Sequence, residues 1–262
     1  MADAAKGMHE QDRAERERFE NELERILTAS READVILRVI GSLAFQMHCS
    51  EYGHLQEEMG RAYTDLDFAA YSRQTREVKE LMESLGYVEN REVFMVSGGD
   101  RSIFDDFDSG LYVDVFYDKL DFCHVIHWEG RLEVDAPTIP LAELLLEKMQ
   151  IVRINEKDVI DTIMLLLEHP LGDTDDETIN IGRVARLCAN DWGLWRTTTD
   201  NLEKVRVLAQ GYPQLSGDEK DRIAAQVVEA LRRIEGEPKP LVWRLRARVG
   251  DRVKWYKEVD DV

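Results

Sequence analysis

Arg61-Ala62-Tyr63-Thr64-Asp65-Leu66-Asp67-Phe68 is the stretch that decides the fold. Side chains alternate between faces along a strand, so Asp65 and Asp67 point one way, and Leu66 and Phe68 the other. Aspartate is disfavoured in strands, and two at alternate positions of an apolar run need an explanation. A second run, Val113-Asp114-Val115-Phe116, turns Asp114 away from Val113 and Val115. Pairing of the two runs gathers three acids on one side of a sheet, with apolar residues behind. Carboxylates that close need a neutralising cation. Clustered oxygen ligands suit Mg²⁺, whose shell is completed by water and substrate phosphates. The expectation is phosphoryl chemistry, with Asp65, Asp67 and Asp114 as metal ligands and catalytic residues. One metal would sit on a triphosphate and one would lower the pKa of an attacking hydroxyl. Asp114 is equally suited to act as the base for that hydroxyl.

Upstream, Gly41-Ser42 stands where a β-branched run, residues 35–40, hands over to a helical one. Glycine lets a backbone approach a phosphate, and a helix N-terminus offers N–H groups and a positive dipole end. Downstream, Lys148 follows Leu144-Leu145-Leu146 on a helix expected over 141–153. From there an ammonium can reach a triphosphate. Asp158 and Asp161 follow on a helix at 156–168 and, three residues apart, share a face. Ordinary salt bridging between Lys157 and Asp161 is the plainer reading of that segment.

The remaining elements fall out of periodicity. Residues 10–27 read as a charged helix with Phe19, Leu23, Ile26 and Leu27 on one stripe. Residues 51–60 read as a loop or short helix, and 74–85 as a helix closed by Gly86. Strands are expected at 64–71, 87–96, 101–107 and 111–117, the last two as a hairpin through Asp108-Ser109-Gly110, with more strand to about 134. After an acidic linker at 172–176, helices are expected at 177–189, 192–209, 219–234 and 241–256, with Asp191 and Ser216 as N-caps. The fold class is α+β: a mixed sheet flanked by helices over residues 1–170, then a helical domain over 171–262.

At 262 residues, with 44% hydrophobic and 33% charged, the chain can bury a substantial core. No apolar run reaches the roughly 20 residues of a membrane helix, and residues 1–32 lack the apolar core of a signal peptide. Three cysteines, an odd number, do not suggest a disulfide framework. These features together point to a cytoplasmic protein without a membrane partner. The net charge of −19 opposes a nucleic-acid-coating role. A local basic stretch runs against it: Lys239, Arg244, Arg246, Arg248, Arg252, Lys254 and Lys257, with Asp251 as its acid. The plainer reading is a solvated helix face, with Trp243 and Trp255 packed internally. Cys49, His54, Cys123, His124 and His127 are metal-capable, but their spacings match no common zinc pattern.

Gly41-Ser42, Arg61-x-x-Thr64-Asp65-x-Asp67, Val113-Asp114-Val115, Leu144-x-x-x-Lys148 and Lys157-Asp158-x-x-Asp161, in that order, resemble the nucleotidyltransferase superfamily with the DNA polymerase beta-like fold. Within it they look most like the AbiEii-type toxin nucleotidyltransferases. The resemblance covers about residues 35–168. It implies Mg²⁺-dependent transfer of a nucleoside monophosphate from a nucleoside triphosphate to an acceptor hydroxyl on RNA, protein or a small molecule. Gly41 and Ser42 would then hold the triphosphate, Asp65 and Asp67 would bind metal, and Lys148 would neutralise phosphate charge. Asp158 and Asp161 would line the nucleotide side of the pocket. Two departures leave the acceptor open. The spacing from Gly41 to Asp65 is long, with an insertion at about 50–60, and the first motif reads Gly-Ser-Leu-Ala rather than Gly-Gly-Thr-Ala. The alternatives are an inactive nucleotide-binding or interaction module, and a toxin paired with an antitoxin.

Overall fold

A computed structural model describes residues 2–59 and 65–259. Arg61 and Thr64 of the quoted motif, and the expected start of its strand at residue 64, lie outside the described residues. The chain divides into two units. The first comprises Met1–Leu43, Ala62–Lys119 and Trp128–Thr138; the second comprises Ala44–Arg61, Leu120–His127 and Ile139–Val262. This differs from the single break expected near residue 170. The helices Leu141–Met149 and Glu156–Glu168 cluster with the later helices instead. The physical reason is that both are buried nearly all round, so each needs helical neighbours on several sides.

The first unit is built on a five-stranded mixed sheet: β1 (Arg38–Ile40), β2 (Leu66–Ala70), β3 (Val88–Glu89), β4 (Arg101–Asp105) and β5 (Tyr112–Tyr117). Their order across the sheet is β1-β2-β5-β4-β3. β2 and β5 run parallel, and every other neighbouring pair is antiparallel. Alternation sorts the two faces. Val39, Leu66, Phe68, Phe104, Val113 and Val115 are all fully buried on one side. Each such side chain contributes roughly 1.5–3 kcal/mol by leaving water. The same unit holds the helices Ala2–Glu32 and Thr75–Ser84. The expected stripe of Phe19, Leu23, Ile26 and Leu27 is buried, as are Val78 and Met82. Gly86 follows the second helix at φ +94°, a conformation suited to glycine at a helix end.

One strand expected here is mostly helix. Of residues 87–96, only Val88–Glu89 pairs in the sheet, and Arg91–Val96 is helical. Asn90 decides it: its side chain accepts the N–H of Val93 at 3.4 Å, and that cap outweighs the β-propensity of Val93, Phe94 and Val96. Further on, strand is confined to Lys119–Asp121 and Val125–His127, and residues 129–134 are turns.

The second unit is helical. Trp192–Ala209 starts at Asp191, whose carboxylate accepts the N–H groups of Gly193 and Leu194. Gly217–Gly236 starts at Ser216 in a reciprocal capping box with Glu219. Leu171–Gly172 pairs in parallel with Ile179–Asn180, so the helix expected from 177 begins at Ile181, capped by Asn180. The last helix, Leu241–Val249, stops short of the expected residue 256 because Gly250 adopts φ +58°. Among the described residues no helix is long and apolar enough to cross a membrane.

Candidate active site

The second face of the sheet in the first unit is acidic. Asp67 of β2 and Asp114 of β5 are direct register partners on neighbouring parallel strands, so their side chains leave the same face. Asp65 immediately precedes β2, two residues from Asp67. Tyr112 stands two residues before Asp114, and its hydroxyl donates to Asp65 Oδ1. Gly41 lies against this patch. It follows Ile40, which pairs with Asp67 across β1 and β2, and it opens the helix Gly41–His48. Its φ is +69°, and a Cβ there would come within 2.6 Å of Asp67 Oδ2. Both facts demand glycine. Ser42 beside it is buried.

Two members of the patch were missed by sequence reasoning. Arg101 Nε lies 2.9 Å from both Asp114 carboxylate oxygens, and Nη2 also bonds Oδ2. Its guanidinium lies over the Phe116 ring, 5.1 Å from the centroid. A signal for this existed. A hairpin centred on Asp108-Ser109 sets Arg101 opposite Phe116 and therefore diagonal to Asp114 on one face. Tyr112 was likewise readable from its spacing to Asp114.

The charges act on one another. Burial pushes the Asp114 carboxyl above its usual range; Arg101 opposes this, and the charge of Asp65 adds to it. The Tyr112 phenol is pushed up by its partial burial, by its bond to Asp65 and by the charges of all three aspartates. Arg101 is held more firmly charged by its bond to Asp114, against the cost of its own burial.

The donor set fits Mg²⁺ in chemistry. A hexacoordinate Mg²⁺ takes one or two protein carboxylates and completes its shell with phosphate and water oxygens. Asp65 and Asp67 supply that. Among the described residues no group of three or more His, Cys, Asp or Glu side chains converges to hold a metal. In the patch Tyr112 holds Asp65, Asp67 lies against Gly41, and Arg101 clasps Asp114. Three of the candidate zinc residues, Cys49, Cys123 and His124, are buried. Burial first and then Glu168 and Asp161 push the Cys49 thiol far up, and His124 Nε2 meets Thr197 Oγ1 at 2.8 Å.

Lys148, Asp158 and Asp161 belong to the second unit and form a cluster there. Lys148 Nζ lies 3.3 Å from Glu147, 3.6 Å from Asp158 and 3.4 Å from Asp161, and 5.3 Å from the Phe45 ring centroid. All four charged side chains are buried. Burial of the Lys148 ammonium in an apolar helix pair requires compensating charge, and three carboxylates supply it. Asp161 turns to Lys148 and to Gln56, whose amide donates to Oδ1 at 2.8 Å. Gln56 lies on the helix His54–Glu58 within the insertion at 50–60. The Glu168 carboxylate also accepts the N–H groups of Glu51 and Tyr52, so the insertion is tied to the helix Glu156–Glu168. Asp158 completes a capping box with Asn155 and lines a cavity of about 470 Å³ with Arg153, Phe122 and Tyr256.

The basic stretch is partly spent on its own fold. Arg246 lies over Trp192, 4.3 Å from the centroid, and donates to the carbonyls of Gly250 and Val253. Lys239 donates to the last carbonyls of Gly217–Gly236, and Lys257 pairs with Asp121. Trp243 donates to the Cys188 carbonyl at 2.9 Å and Trp255 to Thr197 at 3.2 Å, so both half-buried rings are anchored to the helices. Arg244, Arg248 and Arg252 are exposed.

No family model, no curated protein and no solved structure matches this chain.

Proposed function

We propose that this chain is a nucleotidyltransferase with a DNA polymerase beta-like first unit. It would transfer a nucleoside monophosphate from a nucleoside triphosphate to an acceptor hydroxyl on RNA, protein or a small molecule. One observation carries the reading: Asp67 and Asp114 stand in register on adjacent parallel strands, with Asp65 on the same face and Gly41 pressed against Asp67. An acidic patch fed by a strand–Gly-Ser–helix lead-in is what a metal-dependent triphosphate site requires.

Asp65 and Asp67 would hold Mg²⁺, which when bound supplies charge for the triphosphate. Gly41 removes the Cβ that would otherwise collide with Asp67, and so lets the backbone run close to the acidic patch. The acceptor oxygen forms a bond to the α-phosphorus, the bond to the bridging oxygen breaks, and pyrophosphate leaves. Asp114 would serve as a further ligand, or would take the proton of the acceptor hydroxyl. The phosphate role of Lys148 and the pocket-lining roles of Asp158 and Asp161 rest on the resemblance alone.

The test is incubation of the full chain with each α-labelled nucleoside triphosphate, Mg²⁺ and total RNA or total protein. Transfer of label that Asp67→Asn abolishes supports the reading; no transfer with any triphosphate or acceptor overturns it. A second reading, a nucleotide-binding module without turnover, is favoured by the Arg101–Asp114 ion pair and by the paired state of Lys148. It predicts nucleotide binding without transfer. For an RNA acceptor, replacing Arg244, Arg248 and Arg252 with Gln should flatten the salt dependence of RNA binding by about two in the log–log slope.

A further inference from the structure

The Asp114 carboxylate is clasped at both oxygens by a cation of its own chain. Arg101 Nε stands 2.9 Å from each, and the pair belongs to the same face as Asp65 and Asp67. We propose that Arg101 is a resident counter-cation which a divalent cation must displace from Asp114, so that the Arg101–Asp114 pair is the closed state of the acidic patch. This rests on the reading of the patch as a metal-dependent nucleotide site.

Burial explains why a resident cation is needed. Asp114 is only 3% exposed. A carboxylate that far from water must be paired, so its partner is exchanged rather than simply lost. Arg101 is built to be that partner, because its fork matches a carboxylate at both oxygens.

Geometry explains why the exchange is exclusive. A Mg²⁺ ion takes carboxylate oxygens at about 2.0–2.1 Å. With the guanidinium still on the same oxygens, two positive groups would stand within roughly 4 Å across a poorly hydrated space, where like charges repel strongly. Arg101 must therefore move when a cation binds Asp114. The Arg101 side chain is 28% exposed at the start of β4 and already lies over the Phe116 ring. The turn before it carries Gly98 and Gly99, both at positive φ.

Arg101 is on this account a positioning residue, acting through Asp114, and its signature is cation affinity rather than activity. Mn²⁺, followed by its electron paramagnetic resonance signal, is the probe on the full chain. Arg101→Gln should bind Mn²⁺ about tenfold more tightly than the wild type, the scale of one like charge removed from a site. Arg101→Lys, which keeps the charge but not the fork, should fall between the two, and it carries the test if Arg101→Gln does not fold. The gain should vanish when Arg101→Gln is combined with Asp114→Asn and compared with Asp114→Asn alone. Unchanged Mn²⁺ affinity in both Arg101 variants, with binding still lost in Asp67→Asn, overturns the gate and leaves the site standing. Absence of Mn²⁺ binding in every variant overturns the site as well.

Discussion

Each unit holds a cluster of three carboxylates with a basic side chain, and the two clusters differ in their access to solvent. In the second unit Glu147, Asp158 and Asp161 surround Lys148, and every member is buried between helices. In the first unit Asp65, Asp67 and Asp114 share a sheet face with Arg101, where Asp65 and Asp67 are half-buried and Tyr112 is 39% exposed. The sealed cluster is compensated by its own chain and tied to Gln56 and Phe45. The first patch keeps Asp65 and Asp67 within reach of solvent, which is why the proposed chemistry is assigned to it. Counting acids does not separate the two; access does.

The sharpest test of that contrast is activity. Asp67→Asn should lower transfer by roughly 10³-fold or more, about 4 kcal/mol of transition-state stabilisation, with little change in unfolding free energy. Comparable transfer rates in wild type and variant would remove the open patch from the reaction. Lys148→Ala should act the other way. It removes the shared cation from three buried carboxylates, and urea unfolding should report a loss of about 3–5 kcal/mol. An unchanged midpoint would return Lys148 to the role of a phosphate clamp.

Gly41→Ala probes the join between backbone and patch. The new Cβ meets Asp67 Oδ2 at 2.6 Å from a φ of +69°. A loss of about 1–3 kcal/mol in stability is expected, with weaker nucleotide binding. Wild-type behaviour would mean that Asp67 moves aside without cost. The smallest effect should be acid sensitivity in the second unit. Burial holds the His124 imidazole below its ordinary pKa, with Asp191 opposing. As pH falls below about 6.5 the unfolded chain takes up a proton that the folded chain refuses, so stability drops. His124→Gln should flatten thermal stability between pH 7 and 5. A variant with the wild-type slope would assign that sensitivity to another group.

Several of these features are readable from local patterns. The alternation of Asp65 and Asp67, and of Asp114 between valines, places all three on the face they occupy. Phe19, Leu23, Ile26 and Leu27 recur at helical spacing and are buried as that spacing requires. Asp191 and Ser216 cap the helices they precede. Where a local signal competed with another local signal, the reading failed: Asn90 started a helix inside a β-branched run.

By itself the sequence determined what depends on periods of two and 3.6 residues and on capping chemistry: the mixed sheet, the helical C-terminal part, and which side each acid leaves. Tertiary structure alone decided partners. It set Arg101 on Asp114, Tyr112 on Asp65 and Gly41 against Asp67, closed Glu147, Asp158 and Asp161 around Lys148, and grouped Leu141–Met149 and Glu156–Glu168 with the later helices. The physical reason is that a period constrains neighbours along the chain. Strand register and the choice of counter-charge are contests among residues far apart in sequence, decided by burial and by the cost of leaving a charge unpaired.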